Sequence, residues 1–169
     1  MSIAARAYIG LGANLGGPGG LTPRQTLDHA TTALAALPRS RLQSTSRVYV
    51  SDPVESSGPP YFNLVACLQC ELQPLDLLDR LQSIEQDFGR ERPYRNAPRT
   101  LDLDLLMLGD EQLDTPRLTL PHPRMHQRLF VLMPLAELEP DLVIPGRGNV
   151  ADCLAAVQAT HTQHCTPIG

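Results

Sequence analysis

The run "GLGANLGG", residues 10–17, decides between two folds. It follows the strand-like "RAYI" and precedes a helical pattern, the setting of a dinucleotide-binding α/β fold. Its glycines fall at Gly10, Gly12, Gly16 and Gly17, one residue out of step with G-x-G-x-x-G. Nor does a helix begin on them. Thr22 as N-cap, Pro23 at the first helical position and Gln25 at the capping-box position set that start further on. A helix N-terminus so far from the turn cannot sit on a pyrophosphate in the usual way. A Walker-type loop is excluded too, because it requires a lysine and the chain has none. The glycines therefore read as a turn that closes a first strand, Ala5 to Gly10.

Outward from that turn, apolar Leu27, Ala30, Leu34 and Leu37 recur at helical spacing up to Pro38. "RLQSTSRVYV" and "YFNLVACLQCEL" alternate as two strands joined by the loop "SDPVESSGPP", which suggests a hairpin. A second helix opens at Pro74 and is stopped by Gly89, and a strand spans Thr100 to Leu108. Strand, helix, strand, strand, helix, strand is a ferredoxin-like βαββαβ order: an α+β fold with an antiparallel sheet and helices on one face. Two C-terminal helices are expected, Gln127 to Leu138 and Val150 to Val157, the latter capped by Asn149. The 169 residues fit one domain, with 160–169 read as a loose tail.

A formal charge of −4 argues against a general nucleic-acid surface. No run approaches the ~20 apolar residues of a membrane span, and no signal peptide is read at the N-terminus, so a cytoplasmic protein is expected. All 14 basic residues are arginine, and Arg90, Arg92, Arg95 and Arg99 crowd into ten positions. Arginine's planar fork grips phosphate in two places. Cys67 and Cys70, with His161, His164 and Cys165, invite a zinc reading, but the spacing is wrong for a finger and strand positions three apart face opposite sides. Buried or idle thiols fit better.

Directly after the arginines comes "RTLDLDLLML", residues 99–108. Strand alternation turns Asp102 and Asp104 to one face and Leu101, Leu103 and Leu105 to the other. Two carboxylates roughly 6.5–7 Å apart along a strand can bracket a divalent cation or a pair of them. A half-buried strand with a wet polar face explains the same pattern.

Five segments in order resemble the 6-hydroxymethyl-7,8-dihydropterin pyrophosphokinase family over nearly the whole chain. They are "AYIGLGANLGG", "YFN", "IEQDFGRER", "RNAPRTLDLDLL" and "LPHPRMHQRLFVLMPLAEL". The resemblance implies diphosphate transfer from ATP to the pterin hydroxymethyl group, with release of AMP and two Mg²⁺ ions. It implies Asp102 and Asp104 as metal ligands and catalytic groups, Arg90 and Arg92 for transition-state charge, and Arg99 for ATP. Gln82, Glu85, Arg117, Thr119, His122 and Arg128 match further ATP positions. Ser51, Pro53, Val54, Tyr61, Asn63 and Phe130 match pterin positions. The expected partners are those two substrates, with no nucleic acid or membrane, and a monomer is expected.

Three positions depart from the family pattern: Asn96 stands where a lid tryptophan is common, Pro123 where an aromatic is common, and Asp52 where a second proline is common. Tyr94 is a candidate substitute for the tryptophan. Two other readings stay open, a two-metal phosphohydrolase with His122 or His126 as water-activating base, and a non-catalytic ferredoxin-like binding module.

Overall fold

A computed structural model describes residues 4–14, 16, 18–52, 59–88, 100–160 and 164–168. The chain runs through β1 (Ala5–Ala13), α1 (Pro23–Ala35), β2 (Ser40–Thr45), β3 (Val48–Ser51), β4 (Tyr61–Cys70), α2 (Pro74–Asp87) and β5 (Asp102–Leu108). A two-stranded ribbon follows, β6 (Leu113–Asp114) and β7 (Thr119–Leu120), then α3 (Leu129–Leu138). A second ribbon, β8 (Val143–Ile144) and β9 (Gly148–Asn149), leads to α4 (Val150–Thr160) and β10 (Cys165–Ile168).

In the main sheet β4 and β5 flank β1, both antiparallel to it, and β2 and β3 share the far edge of β4. This is the ferredoxin-like strand order expected from the sequence, with its second strand split into β2 and β3. The capping box of α1 is in place: Gln25 N–H donates to Thr22 Oγ1 (3.2 Å) and Thr22 N–H to Gln25 Oε1 (2.9 Å). Asn149 Oδ1 accepts from Ala151 N–H at 2.7 Å, so α4 begins where expected.

Strand alternation divides the core into two layers. Ala7, Ile9, Leu11 and Ala13 of β1, with Leu103 and Leu105 of β5, pack beneath Leu27 and Leu34 of α1 and Leu77 and Leu81 of α2. Tyr8, Val65, Cys67, Leu106 and Met107 face the other way and are covered by Leu129, Leu132 and Leu135 of α3 and Val150 and Val157 of α4. The two helices of the βαββαβ core therefore share one face, as expected, and the additional C-terminal helices α3 and α4 cover the other. Cys67 and Cys70 fall in different layers, and the four cysteines are free.

Three sequence expectations change. The first strand continues through Gly10 and Gly12 to Ala13, because pairing with β4 on one side and β5 on the other outweighs the turn preference of glycine. The helix read as Gln127 to Leu138 begins at Leu129 after a short 3₁₀ turn, Met125–Gln127. Residues 165–168, expected in a loose tail, pair with β3 in the register Cys165 to Ser51 through Ile168 to Val48.

Candidate active site

Among the described residues α3 and α4 pack over Tyr8, Val65, Cys67 and Met107 on the second sheet face, and beyond Tyr8 this face of β1 carries two glycines. Gly12 stands opposite Asp102 of β5 and Asn63 of β4, and Gly10 opposite Asp104 and Val65. Adjacent strands are about 4.8 Å apart, so Asp102 and Asn63 bracket a bare backbone shelf roughly 10 Å wide. A Cβ on Gly12 would meet Asn63 Oδ1 at 3.0 Å, so tight that the amide would have to give way by a few tenths of an ångström. The glycine keeps that amide where it is.

The aspartates are half-buried on the shelf side while Leu101, Leu103 and Leu105 are buried on the other, as the alternation of the sequence requires. Glu85 of α2 is 3% exposed and its Oε2 accepts from Leu103 N–H at 2.9 Å. A buried carboxylate thus holds the backbone between the two aspartates. Gln82, on the same helix, is exposed. Arg117 is brought to this helix as well, its Nη2 2.6 Å from Asp79 Oδ1.

Asp104 Oδ2 lies 3.9 Å from Arg128 Nη1, and the Arg128 guanidinium carbon stands 5.5 Å from the centroid of the Phe130 ring. His122 reaches the same corner because its N–H donates to the Leu106 carbonyl (2.8 Å), in the β5 bulge. Its Nδ1 accepts from Arg124 N–H at 3.1 Å, which leaves Nε2 as the protonated nitrogen of the neutral ring. Burial holds the imidazole below the ordinary histidine range, the Asp104 carboxylate opposes this, and Arg128 and Arg124 add to it. His122 is thereby set as a neutral hydrogen-bond donor. Thr119 lies just before it on β7.

At the far end of the shelf, Asn63 Nδ2 donates to Ser51 Oγ at 2.9 Å, and both residues are buried. Tyr61, half-buried, is opposite Ser51 on β4. The structure therefore brings Asp102, Asp104, His122 and Arg128 together, with Asn63 and Ser51 across the shelf. Arg90, Arg92, Arg99, Pro53, Val54, Tyr94 and Asn96 lie outside the described residues. Asn14, not singled out in the sequence, comes two positions after Gly12 and is 5% exposed, with its Oδ1 buried and unpartnered among the described residues. A polar residue continuing a glycine-alternating strand was the available signal.

The donor set fits a hard cation: two carboxylates on one face, accessible enough to share an ion with water. Among the described residues no group of three or more His, Cys, Asp or Glu gathers.

A model of the 7,8-dihydro-6-hydroxymethylpterin-pyrophosphokinase (HPPK) family matches residues 8–140, a span that holds the whole shelf. The chain belongs to the HPPK family. It is 47% identical over 152 residues to the 2-amino-4-hydroxy-6-hydroxymethyldihydropteridine pyrophosphokinase of Pseudomonas aeruginosa, covering 89% of this chain and 91% of that one. It is 46% identical over 147 residues to the enzyme of the same name from Haemophilus influenzae, covering 86% and 89%. The fold superposes on an HPPK-DHPS crystal structure in complex with substrates with a TM-score of 0.69 at 13% identity, over 90% of this chain and 43% of that longer one. The chain is accordingly an enzyme, a pterin pyrophosphokinase of folate biosynthesis.

Proposed function

We propose that the protein transfers a diphosphate group from ATP to the hydroxymethyl oxygen of 6-hydroxymethyl-7,8-dihydropterin, releasing AMP, with two Mg²⁺ ions. The observation that carries this reading is the single row of Asp102, Gly12 and Asn63 across three strands. It sets an amide reader and a carboxylate pair about 10 Å apart, the scale of a pterin with its hydroxymethyl arm.

In this reading Ser51 fixes the Asn63 amide so that Oδ1 accepts a pterin N–H, an orientation supported by the 2.9 Å bond between them. Phe130 and Tyr61 supply aromatic walls, and Pro53 and Val54 wrap the ring through their backbone. The hydroxymethyl oxygen attacks the β-phosphorus in line with the departing AMP oxygen. Asp102 and Asp104 would hold the two ions, which when bound would supply positive charge to offset that of the triphosphate and of the leaving oxygen. Arg99, Arg117, Arg128, Thr119 and Gln82 hold the nucleotide and its phosphates, and Arg90 and Arg92 meet charge that builds in the transition state. His122 contributes its Nε2–H to a phosphate oxygen. Glu85 serves the ATP side by holding β5 in place.

The enzyme acts as a cytoplasmic monomer whose partners are its two substrates. The acidic balance of the chain supports the absence of a nucleic-acid partner, and no helix among the described residues is long and apolar enough to cross a membrane. The test is to incubate the protein with ATP, Mg²⁺ and the dihydropterin and identify the nucleotide formed. AMP that appears only with pterin is expected; ADP, or phosphate release independent of pterin, overturns the reading.

A further inference from the structure

Away from the shelf, β3 and α3 are joined by one carboxylate. Glu137 Oε2 accepts from the Arg47 backbone N–H at 2.9 Å, and Oε1 accepts from Arg47 Nε at 3.1 Å and from the Tyr49 hydroxyl at 2.6 Å. The Arg47 guanidinium carbon lies 5.9 Å from the centroid of the Tyr49 ring, which is 3% exposed. Burial, then the hydrogen bond to Glu137, pushes the Tyr49 phenol up to about 12. Burial works to raise Glu137, yet the bonds from Tyr49 and Arg47 hold it below the usual carboxylate range. The three groups form a charge-assisted clamp.

Each end of this clamp leads to the proposed pterin pocket. On the sheet, Tyr49 stands directly opposite Asn63, and two residues later Ser51 accepts from the Asn63 amide. The β3 ladder to β4 spans only Tyr49 to Ser51 and its other edge carries only the four-residue β10, so both ladders that position the strand are short. On the helix, Glu137 is seven residues after Phe130, so the two share one face about 10.5 Å apart. Pro134 between them lacks the N–H that would bond the Phe130 carbonyl, so the helix alone does not fix the angle between its two halves.

We propose that Glu137 and Tyr49 are positioning residues for the pterin: their bond fixes the gap between the Phe130 ring on α3 and the Asn63 amide on β4. The proposal rests on the pterin reading of that pocket. Neither residue touches substrate. Losing the bond lets α3 and β3 drift apart, which loosens the ring's fit; the ATP-side groups on β5, β7 and α2 stay in place, and Arg128, at the N-cap of α3, is the one ATP-side group that α3 carries and keeps its partner Asp104 on β5.

The experiment measures binding of the dihydropterin and of a non-hydrolysable ATP analogue by titration calorimetry, with thermal stability, for the full chain and three variants. Tyr49→Phe and Glu137→Gln are each expected to weaken pterin binding about tenfold with ATP-analogue binding within about twofold. The double variant is expected to lose less than the sum of the two single losses, because both act on the Tyr49–Glu137 bond, which Tyr49→Phe removes and Glu137→Gln weakens by taking away its charge. Glu139→Gln is the control: it breaks the ion pair between Arg6 and Glu139 (3.0 Å) at the same end of α3 without touching β3, and leaves pterin affinity unchanged. Unchanged pterin affinity in Tyr49→Phe, or equal losses for both ligands, overturns the proposal. Tyr49→Phe removes one oxygen and keeps Arg47 on Glu137, so it decides the matter even if Glu137→Gln does not fold. A wild-type chain that binds no pterin overturns the functional reading itself; a wild type that binds it while Tyr49→Phe binds equally well overturns only the clamp.

Discussion

Arg128 pairs with Asp104, its Nη1 3.9 Å from Asp104 Oδ2, while its guanidinium also lies over Phe130. One arginine thus balances a proposed metal carboxylate and a proposed pterin wall. Replacing it should move two affinities in opposite directions. In Arg128→Met the carboxylate pair loses a compensating cation, so Mn²⁺ alone binds a few-fold tighter; the phosphates lose a donor, so metal–ATP binds about tenfold weaker. Electron paramagnetic resonance of Mn²⁺ and nucleotide titration read the two effects separately. Loss of both affinities would contradict the pairing.

Gly12 and Gly10 offer a matched comparison. A methyl group on Gly12 would sit 3.0 Å from Asn63 Oδ1, whereas one on Gly10 would meet Leu106 at an ordinary 3.6 Å. Gly12→Ala should raise the KM for pterin at least about tenfold with a stability cost of about 1–3 kcal/mol, and Gly10→Ala should have the smaller stability cost. Steady-state kinetics and thermal melts of both variants check this ordering.

His122 gives a pH signature in the metal-free protein. Burial lowers its folded pKa beneath the ordinary 6.5, so the unfolded chain takes up a proton before the folded one does. Its contribution to stability is complete above about pH 6.5 and is lost as pH falls through the folded value. Imidazole NMR titration should place the folded midpoint below 6.5, and His122→Gln should flatten the acid limb of the stability curve. A midpoint above 6.5 would mean that Asp104 governs the ring instead.

Glu85→Ala should act through β5. Its loss strands the buried Leu103 N–H and costs about 1–3 kcal/mol, with slackened aspartates on either side of that residue. Thermal unfolding and the Mg²⁺ dependence of turnover should both shift; an unchanged metal dependence would separate Glu85 from the carboxylate pair.

What could be read from the sequence was whatever is local or periodic. The capping box at Thr22 and Gln25, the alternation of "LDLDL" and the strand and helix order are short-range signals, and each is realised. The glycines misled because Gly10 and Gly12 carry turn propensity locally, while their strand state is imposed by two partner strands about 50 and 90 residues away in sequence. The pairing of Cys165–Ile168 with β3 escaped for the same reason, being short and interrupted by Pro167. Glu85 and Glu137 read as ordinary polar helix residues; only the packing of α2 on β5 and of α3 on β3 reveals what their carboxylates hold.

The most direct measurement follows the fate of phosphorus. ATP labelled at the β position and, separately, at the γ position is incubated with the protein, Mg²⁺ and 6-hydroxymethyl-7,8-dihydropterin, and the products are resolved. Diphosphate transfer predicts both labels in the same pterin product and unlabelled AMP. A β label found in ADP, or a γ label found alone on the pterin or as free phosphate, would contradict it.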